Sequence, residues 1–181
     1  ACRERFGLLA DRPLLALCPG AEFGGAKRWP EAHYAELARR YQRRGWQVVL
    51  FGSENDKPVT AVISEQCDSD SPCFDLAGRT QLAEAVDLMS LAAAAVSNDS
   101  GLMHIAAALA LPLVVVYGPT SPGFTPPLDP RARVILNDID CAPCFERECP
   151  LQHHRCMREI SADAVAAKLD SLLAEGDACA Y

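Results

Sequence analysis

Three groups of residues have the types and spacing for chemistry. The first is Asn98-Asp99-Ser100-Gly101-Leu102-Met103-His104, where an apolar run over 91–96 stops at a polar turn and 102–111 reads as a helix. Backbone N–H groups at a helix start lack intrahelical partners, and the helix dipole adds partial positive charge, so an anion such as phosphate is held there. The plainer alternative is that Asp99 or Ser100 only caps the helix and His104 is a satisfied, partly buried histidine. Taken alone, the stretch does not choose between them. The second group follows an apolar run at 14–18 and contains Gly20, Glu22, Gly24, Gly25, Lys27 and Arg28. Its glycines allow close backbone approach and its two cations suit phosphate, while Glu22 stays open between loop surface and cleft. The third is Cys141, Cys144, Cys149 and Cys156, with His153 and His154 among them. Four thiolates can make a tetrahedral structural zinc site, although the widely separated paired knuckles of a zinc ribbon are missing. A reduced, cysteine-rich surface loop is the other reading.

These groups need elements to place them. Short apolar runs at 14–18, 46–51, 73–76, 91–96 and 113–117 read as strands, with a further short one at 133–136. Helices are expected between them. One starts with Pro30 at its first position and runs to Arg44, with Tyr34, Leu37, Ala38 and Tyr41 inward and Gly45 as its stop. A second, from about Pro58 to Cys67, turns Val59, Val62 and Ile63 inward; a third, capped by Thr80, buries Leu82, Val86 and Met89. The last is capped by Ser161, buries Val165, Leu169, Leu172 and Leu173, and stops at Gly176. Trp29 and Trp46 are expected to pack, and His33 to lie on an exposed helix face.

This alternation argues for an α/β domain with a mostly parallel sheet, in which ligands bind beyond the carboxyl ends of the strands. Loops 19–29, 52–56, 77–80, 97–104 and 118–125 all follow strands and should therefore meet at one cleft. That convergence favours a functional reading of the turn at Asp99. A Gly-x-Gly-x-x-Gly fingerprint and a Gly-x-x-x-x-Gly-Lys-Ser/Thr loop are both missing, which disfavours redox dinucleotides and P-loop chemistry. Cations and a helix start suit a diphosphate, and carboxylates at Glu54 and Asp99 suit sugar hydroxyls, so a nucleotide-sugar fits.

Bulk properties narrow the classes further. A chain of 181 residues, half of them hydrophobic and 23% charged, suits one globular domain with a full core, here 1–181. A net charge of −7 without a basic stripe argues against nucleic acid as a partner. The basic cluster Arg39, Arg40, Arg43 and Arg44 falls at a helix end, where cations favour the dipole. No apolar run is long enough for a transmembrane segment and no signal peptide is evident, so nine cysteines are expected as reduced cytosolic thiols. The first residue is Ala1 rather than Met, which fits a piece of a longer protein.

Five motifs then bring a family into view. Pro19-Gly20-Ala21 with Lys27-Arg28-Trp29-Pro30, Phe51-Gly52-Ser53-Glu54, Leu76-Ala77-Gly78-Arg79-Thr80, Asn98 to His104, and Tyr117-Gly118-Pro119-Thr120 occur in order over 14–175. In that order and spacing they resemble the carboxyl-terminal half of the ADP-heptose:lipopolysaccharide heptosyltransferases, and the heptosyltransferase II branch most. The resemblance implies a GT-B glycosyltransferase in which this Rossmann-like half, a mostly parallel sheet with flanking helices, binds the donor. The amino-terminal acceptor domain would be absent from this chain. The implied reaction is inverting transfer of L-glycero-D-manno-heptose from ADP-heptose to the lipopolysaccharide inner core, on the cytoplasmic side, with peripheral contact at the inner membrane allowed.

Carried over by motif, Lys27 and Asp99 would be the catalytic residues. Lys27 would neutralise the diphosphate beside Gly20 and Arg28, and Glu54 would touch donor hydroxyls or the nucleoside. Asp99 would hold the heptose, Ser100, Gly101 and Leu102 would receive the phosphates with His104 close by, and Thr80 would line the nucleoside pocket. No cofactor is required for this chemistry; the cysteines leave room for a structural zinc. In the family the general base lies in the other domain, so the isolated domain is expected to be inactive; Asp99 as the base is the lesser alternative. Also open are the donor domain of another nucleotide-sugar transferase or epimerase, and a non-catalytic, metal-stabilised interaction module built on 141–156.

Overall fold

The computed structural model describes residues 2–178. Six parallel strands form one sheet: β1 (Leu14–Cys18), β2 (Gln47–Leu50), β3 (Cys73–Asp75), β4 (Ala94–Asn98), β5 (Leu113–Tyr117) and β6 (Arg133–Leu136). They are joined by α2 (Glu31–Gln42), α3 (Lys57–Glu65), α4 (Leu82–Met89) and α5 (Gly101–Ala108). A short α1 (Cys2–Arg5) precedes the sheet, and α6 (Arg155–Arg158) and α7 (Ala162–Ala178) follow it. The strand order is β3-β2-β1-β4-β5-β6, the doubly wound order in which the chain reverses its direction of travel between β1 and β4.

Alternation along each strand divides the core. Leu15, Leu17, Val48, Leu50, Val96, Val114 and Val116 point to one face, where they pack with Tyr34, Leu37, Tyr41, Val165 and Leu169 of α2 and α7. Leu14, Ala16, Val49, Ala95, Leu113, Val115 and Tyr117 point to the other, against Leu88 and Met89 of α4 and Met103 of α5. Burial on both faces explains why β1, β5, residues 48–50 of β2 and residues 94–96 of β4 are apolar without alternation.

Several expectations shift. The fourth strand is displaced toward its carboxyl end because Leu91 and Ala92 close the turn after α4, their N–H groups donating to Leu88 and Met89 carbonyls. Ser97 and Asn98 then finish the strand although polar, both fully buried. Gln81, not Thr80, caps α4, through a capping box with Glu84. Leu82 is 68% exposed and Val62 41%, so neither joins the core. Proline stands one residue before α2 rather than at its first position, and α7 runs through Gly176. His33 is half-buried, tilted against Trp29 with centroids 5.4 Å apart, instead of on an open face. The arginine cluster joins α2 to α7, with Arg40 on Asp163 and Arg44 on Asp170, each at 2.6–2.7 Å. Among the described residues no helix is long and apolar enough to cross a membrane.

Candidate functional site

The switch between β1 and β4 sets two loops side by side, and Asn98 joins them. Its Nδ2 donates to the Pro19 carbonyl at 2.7 Å, while its Oδ1 accepts the Trp29 N–H at 3.2 Å and the Tyr34 hydroxyl at 3.0 Å. An amide buried at a strand end is stable only when it is satisfied in this way. Trp29 is buried as expected, its indole N–H donating to the Ile160 carbonyl at 2.8 Å. The strut holds the floor of a cleft of about 740 Å³, a volume suited to a nucleotide-sized ligand.

Of the residues singled out from sequence, Gly20, Lys27, Thr80 and Asp99 line this cleft, as do Ser100, Gly101, Leu102 and His104 at the start of α5. Glu22 lines it too. Arg28 and Glu54 do not. Arg28 is turned inward, its Nε buried without a hydrogen-bond partner, and Glu54 pairs with Lys57 at 2.7 Å beside Gly78. Loop 118–125 lines none of the cleft but reaches it through Thr120.

Lys27 Nζ lies 2.7 Å from Asp99 Oδ2, and the Thr120 hydroxyl donates to the same oxygen at 2.7 Å. The carboxylate is 5% exposed and the lysine side chain 12%. In such burial, removing either member of the pair without a charged replacement would leave the other as an uncompensated charge, which is strongly unfavourable. Ser100 is the N-cap of α5 but makes no side-chain cap hydrogen bond, and its hydroxyl turns to Ser97 at 3.3 Å. Asp99 likewise spends its hydrogen bonds on Lys27 and Thr120. The start of α5, where Gly101 and Leu102 line the cleft, is therefore left without a side-chain cap.

Residues that sequence reasoning passed over complete the walls. Asp56 is buried and accepts the Ser53 N–H and hydroxyl, both at 2.8 Å. It lies so close under Gly20 and Gly52 that a Cβ on Gly20 would stand 2.5 Å from its carboxyl. This contact is a physical reason for glycine at both strand ends. Phe51, Leu82, Ala85 and Ile105 form an apolar side suited to a flat ring, and Phe23 closes one end with Lys27 Nζ 4.7 Å from its ring centroid.

The cysteine segment is separate. Among the described residues no three Cys, His, Asp or Glu side chains form a group that could hold a metal. Cys141 reaches only His153 Nε2, at 4.0 Å. Cys156 is buried, and burial first, then the nearby Cys144, Cys149 and Cys141, push its thiol up. At Cys149 burial also acts upward, but N–H groups of His154, Leu151, His153 and Gln152 aimed at its sulfur outweigh it and bring the thiol below its usual range. As these residues stand, they do not fit the zinc site that their spacing suggested.

The comparisons agree with this geometry. The profile of glycosyltransferase family 9 (heptosyltransferase) matches residues 2–155. The chain belongs to that family. This family 9 chain is 48% identical to lipopolysaccharide heptosyltransferase 2 of Salmonella typhimurium over 94% of its own length and 49% of the relative's. It is 45% identical to the Haemophilus influenzae lipooligosaccharide heptosyltransferase 2 over 95% of its length and 51% of that protein. The solved structure of E. coli ADP-heptose LPS heptosyltransferase II superposes with a TM-score of 0.87 at 44% identity, covering 97% of this chain and 51% of that one. A family 9 glycosyltransferase from Veillonella parvula gives 0.81 at 25% identity, covering 96% and 49%. The chain thus spans about half the length of the curated relatives it matches.

Proposed function

We propose that this chain is the donor-binding domain of an inverting heptosyltransferase that moves heptose from ADP-heptose to the lipopolysaccharide inner core, the acceptor being bound by a second domain. The observation that carries this reading is that Lys27 and the first residues of α5, whose N-cap Ser100 makes no side-chain cap hydrogen bond, line one cleft at the crevice between β1 and β4. Together they offer a diphosphate a cation and a set of fixed donors. Phe51, Ala85 and Ile105, with Thr80 and Ser53 at the edge, receive the nucleoside. His104 lies one turn into α5, within reach of the same phosphates.

Binding begins with an exchange of partners. Lys27 leaves Asp99 for the diphosphate, and Asp99, still held by Thr120, takes a heptose hydroxyl. In the transfer the bond from the anomeric carbon to the β-phosphate oxygen breaks, and a new bond forms from that carbon to the acceptor oxygen on the opposite face. Charge grows on the departing ADP, where Lys27 and α5 stabilise it without reorganising. The acceptor proton passes to a base outside this chain, since Asp99 is occupied by the Thr120 hydroxyl and a heptose hydroxyl. With a lipid acceptor, the enzyme works as a peripheral protein at the cytoplasmic face of the inner membrane.

The test is titration of the chain with ADP and ADP-heptose against UDP- and GDP-sugars. ADP and ADP-heptose should bind at least tenfold more tightly than the others. Lys27→Ala should weaken ADP by about ten- to a hundredfold, the scale of one charge-assisted hydrogen bond. A folded sample without affinity for ADP overturns the reading.

A further inference from the structure

Between β6 and α6 the chain has almost no regular secondary structure, yet it touches both loops that meet on Asp99. On one side the Arg147 carbonyl accepts the Ala26 N–H at 3.0 Å, and Glu148 Oε1 accepts the Gly25 N–H at 3.1 Å. The approach is close. A Cβ on Gly24 would overlap the Arg147 carbonyl, and one on Gly25 would stand 3.1 Å from the Glu148 carboxylate. The Arg147 guanidinium lies 5.3 Å from the Phe23 ring centroid, the same ring that Lys27 approaches. On the other side the Phe145 N–H donates to the Pro119 carbonyl at 2.7 Å, one residue before Thr120. A Cβ on Gly118 would run into the Met157 sulfur.

The Lys27 loop has little to hold it by itself. Its only regular element is one 3-10 turn, Gly25–Lys27, whose N-cap Gly24 supplies no side chain. Two adjacent glycines let it come close to a ligand and equally let it wander. The contacts from Arg147 and Glu148 remove that freedom, the Glu148 contact from 123 residues away.

We infer that residues 145–148 are a positioning brace for the donor diphosphate, acting through the backbone of the Lys27 loop without touching the ligand. The inference rests on the donor-binding reading above. It predicts a defect confined to ligands that need Lys27. The experiment compares the chain with Glu148→Ala and Glu148→Gln, titrating ADP and AMP and following the Gly25 amide by hydrogen exchange. Glu148→Ala should weaken ADP about three- to tenfold, leave AMP within about twofold, and speed Gly25 exchange at least tenfold, as expected for one lost hydrogen bond. Glu148→Gln keeps an acceptor oxygen and should restore ADP to within about twofold. Removing a negative charge near an anion site would by itself tighten ADP, so a weaker ADP complex in Glu148→Ala reports the loosened loop. The brace is overturned if Glu148→Ala binds ADP like the parent, if it loses ADP and AMP equally, or if Glu148→Gln behaves like Glu148→Ala. Should the parent chain bind no ADP, the donor-binding reading fails, and unchanged Gly25 exchange in Glu148→Ala still overturns the brace on its own.

Discussion

The turn after β4 and the cysteine-bearing segment 137–157 both stand beside the cleft, and they are held in opposite ways. The turn is short and fixed from within, by the buried side chains Asn98 and Asp99. The segment is largely exposed and fixed by its own backbone, with Phe145, Gln152 and His154 at positive φ and Cys149 ringed by N–H groups. Side-chain anchoring concentrates free energy in a few atoms; backbone anchoring spreads it thinly. Substitutions should therefore be severe in the turn and mild, even favourable, at the exposed positions of the segment, which exclude the buried Cys156 and Met157.

The largest effect is expected at Asn98. Asn98→Ala leaves the Pro19 carbonyl and the Trp29 N–H without their partner in a buried site, and leaves the Tyr34 hydroxyl only the Cys18 carbonyl at 3.4 Å. At roughly 1–3 kcal/mol for each unsatisfied group, a loss of about 3 kcal/mol or more should appear in urea unfolding. A change below about 1 kcal/mol would break the contrast. Next comes the ion pair. Asp99→Ala strands a largely buried ammonium and should cost about 3 kcal/mol, whereas Lys27→Ala leaves Asp99 its Thr120 bond and should cost less. Equal losses in the two unfolding curves would mean that Thr120 contributes nothing.

In the segment the sign reverses. Gln152 is exposed at φ +56°, and its N–H bond to Cys149 survives replacement by glycine. Gln152→Gly should stabilise by a few tenths of a kcal/mol up to about 1, the left-handed strain relieved less the added chain entropy. A destabilised variant would show that this side chain is an anchor after all. The smallest effect leaves stability untouched. Because the Cys149 thiol sits below its ordinary range, it forms thiolate at lower pH than a free cysteine, and iodoacetamide near pH 7.5 should label it before Cys156. Cys18, pushed up to about 12 by burial and then by Asp56, should stay unlabelled. Peptide mass mapping reads the order, and early labelling of Cys18 would sink it.

The same contrast decides what was legible in the sequence. Residues 14–18 and 113–117 are strands as expected, because a strand buried on both faces writes itself as an apolar run, and 133–136 is the half-buried edge strand of the same sheet. Hydrophobicity misplaces β4 because Ser97 and Asn98 are polar yet fully satisfied inside. Leu82 was expected in the core and instead forms a cleft wall, a choice set by the ligand side of α4 rather than by its periodicity. Lys27, Asp99 and the start of α5 could be placed at one sheet edge from strand-end logic alone. The inward turn of Arg28, the pairing of Glu54 with Lys57, and Asp56 beneath Gly20 depend on side-chain packing that no spacing encodes. Least visible was the contact of Glu148 with Gly25. It joins two irregular loops, and neither carries a periodic signal.

One consequence of the Asn98 strut concerns the entropy of binding. All three of its hydrogen bonds are made before any ligand arrives, and they knit the loop after β1, the start of α2 and the end of β4 into one preformed surface. A ligand entering the cleft therefore has little backbone to immobilise, and the ordering that remains falls on exposed side chains at its edge such as Leu82 and Phe23, at about 0.5–1.5 kcal/mol for each one fixed. Affinity in this domain should accordingly be tuned at the rim of the cleft, while its base behaves as a rigid mould.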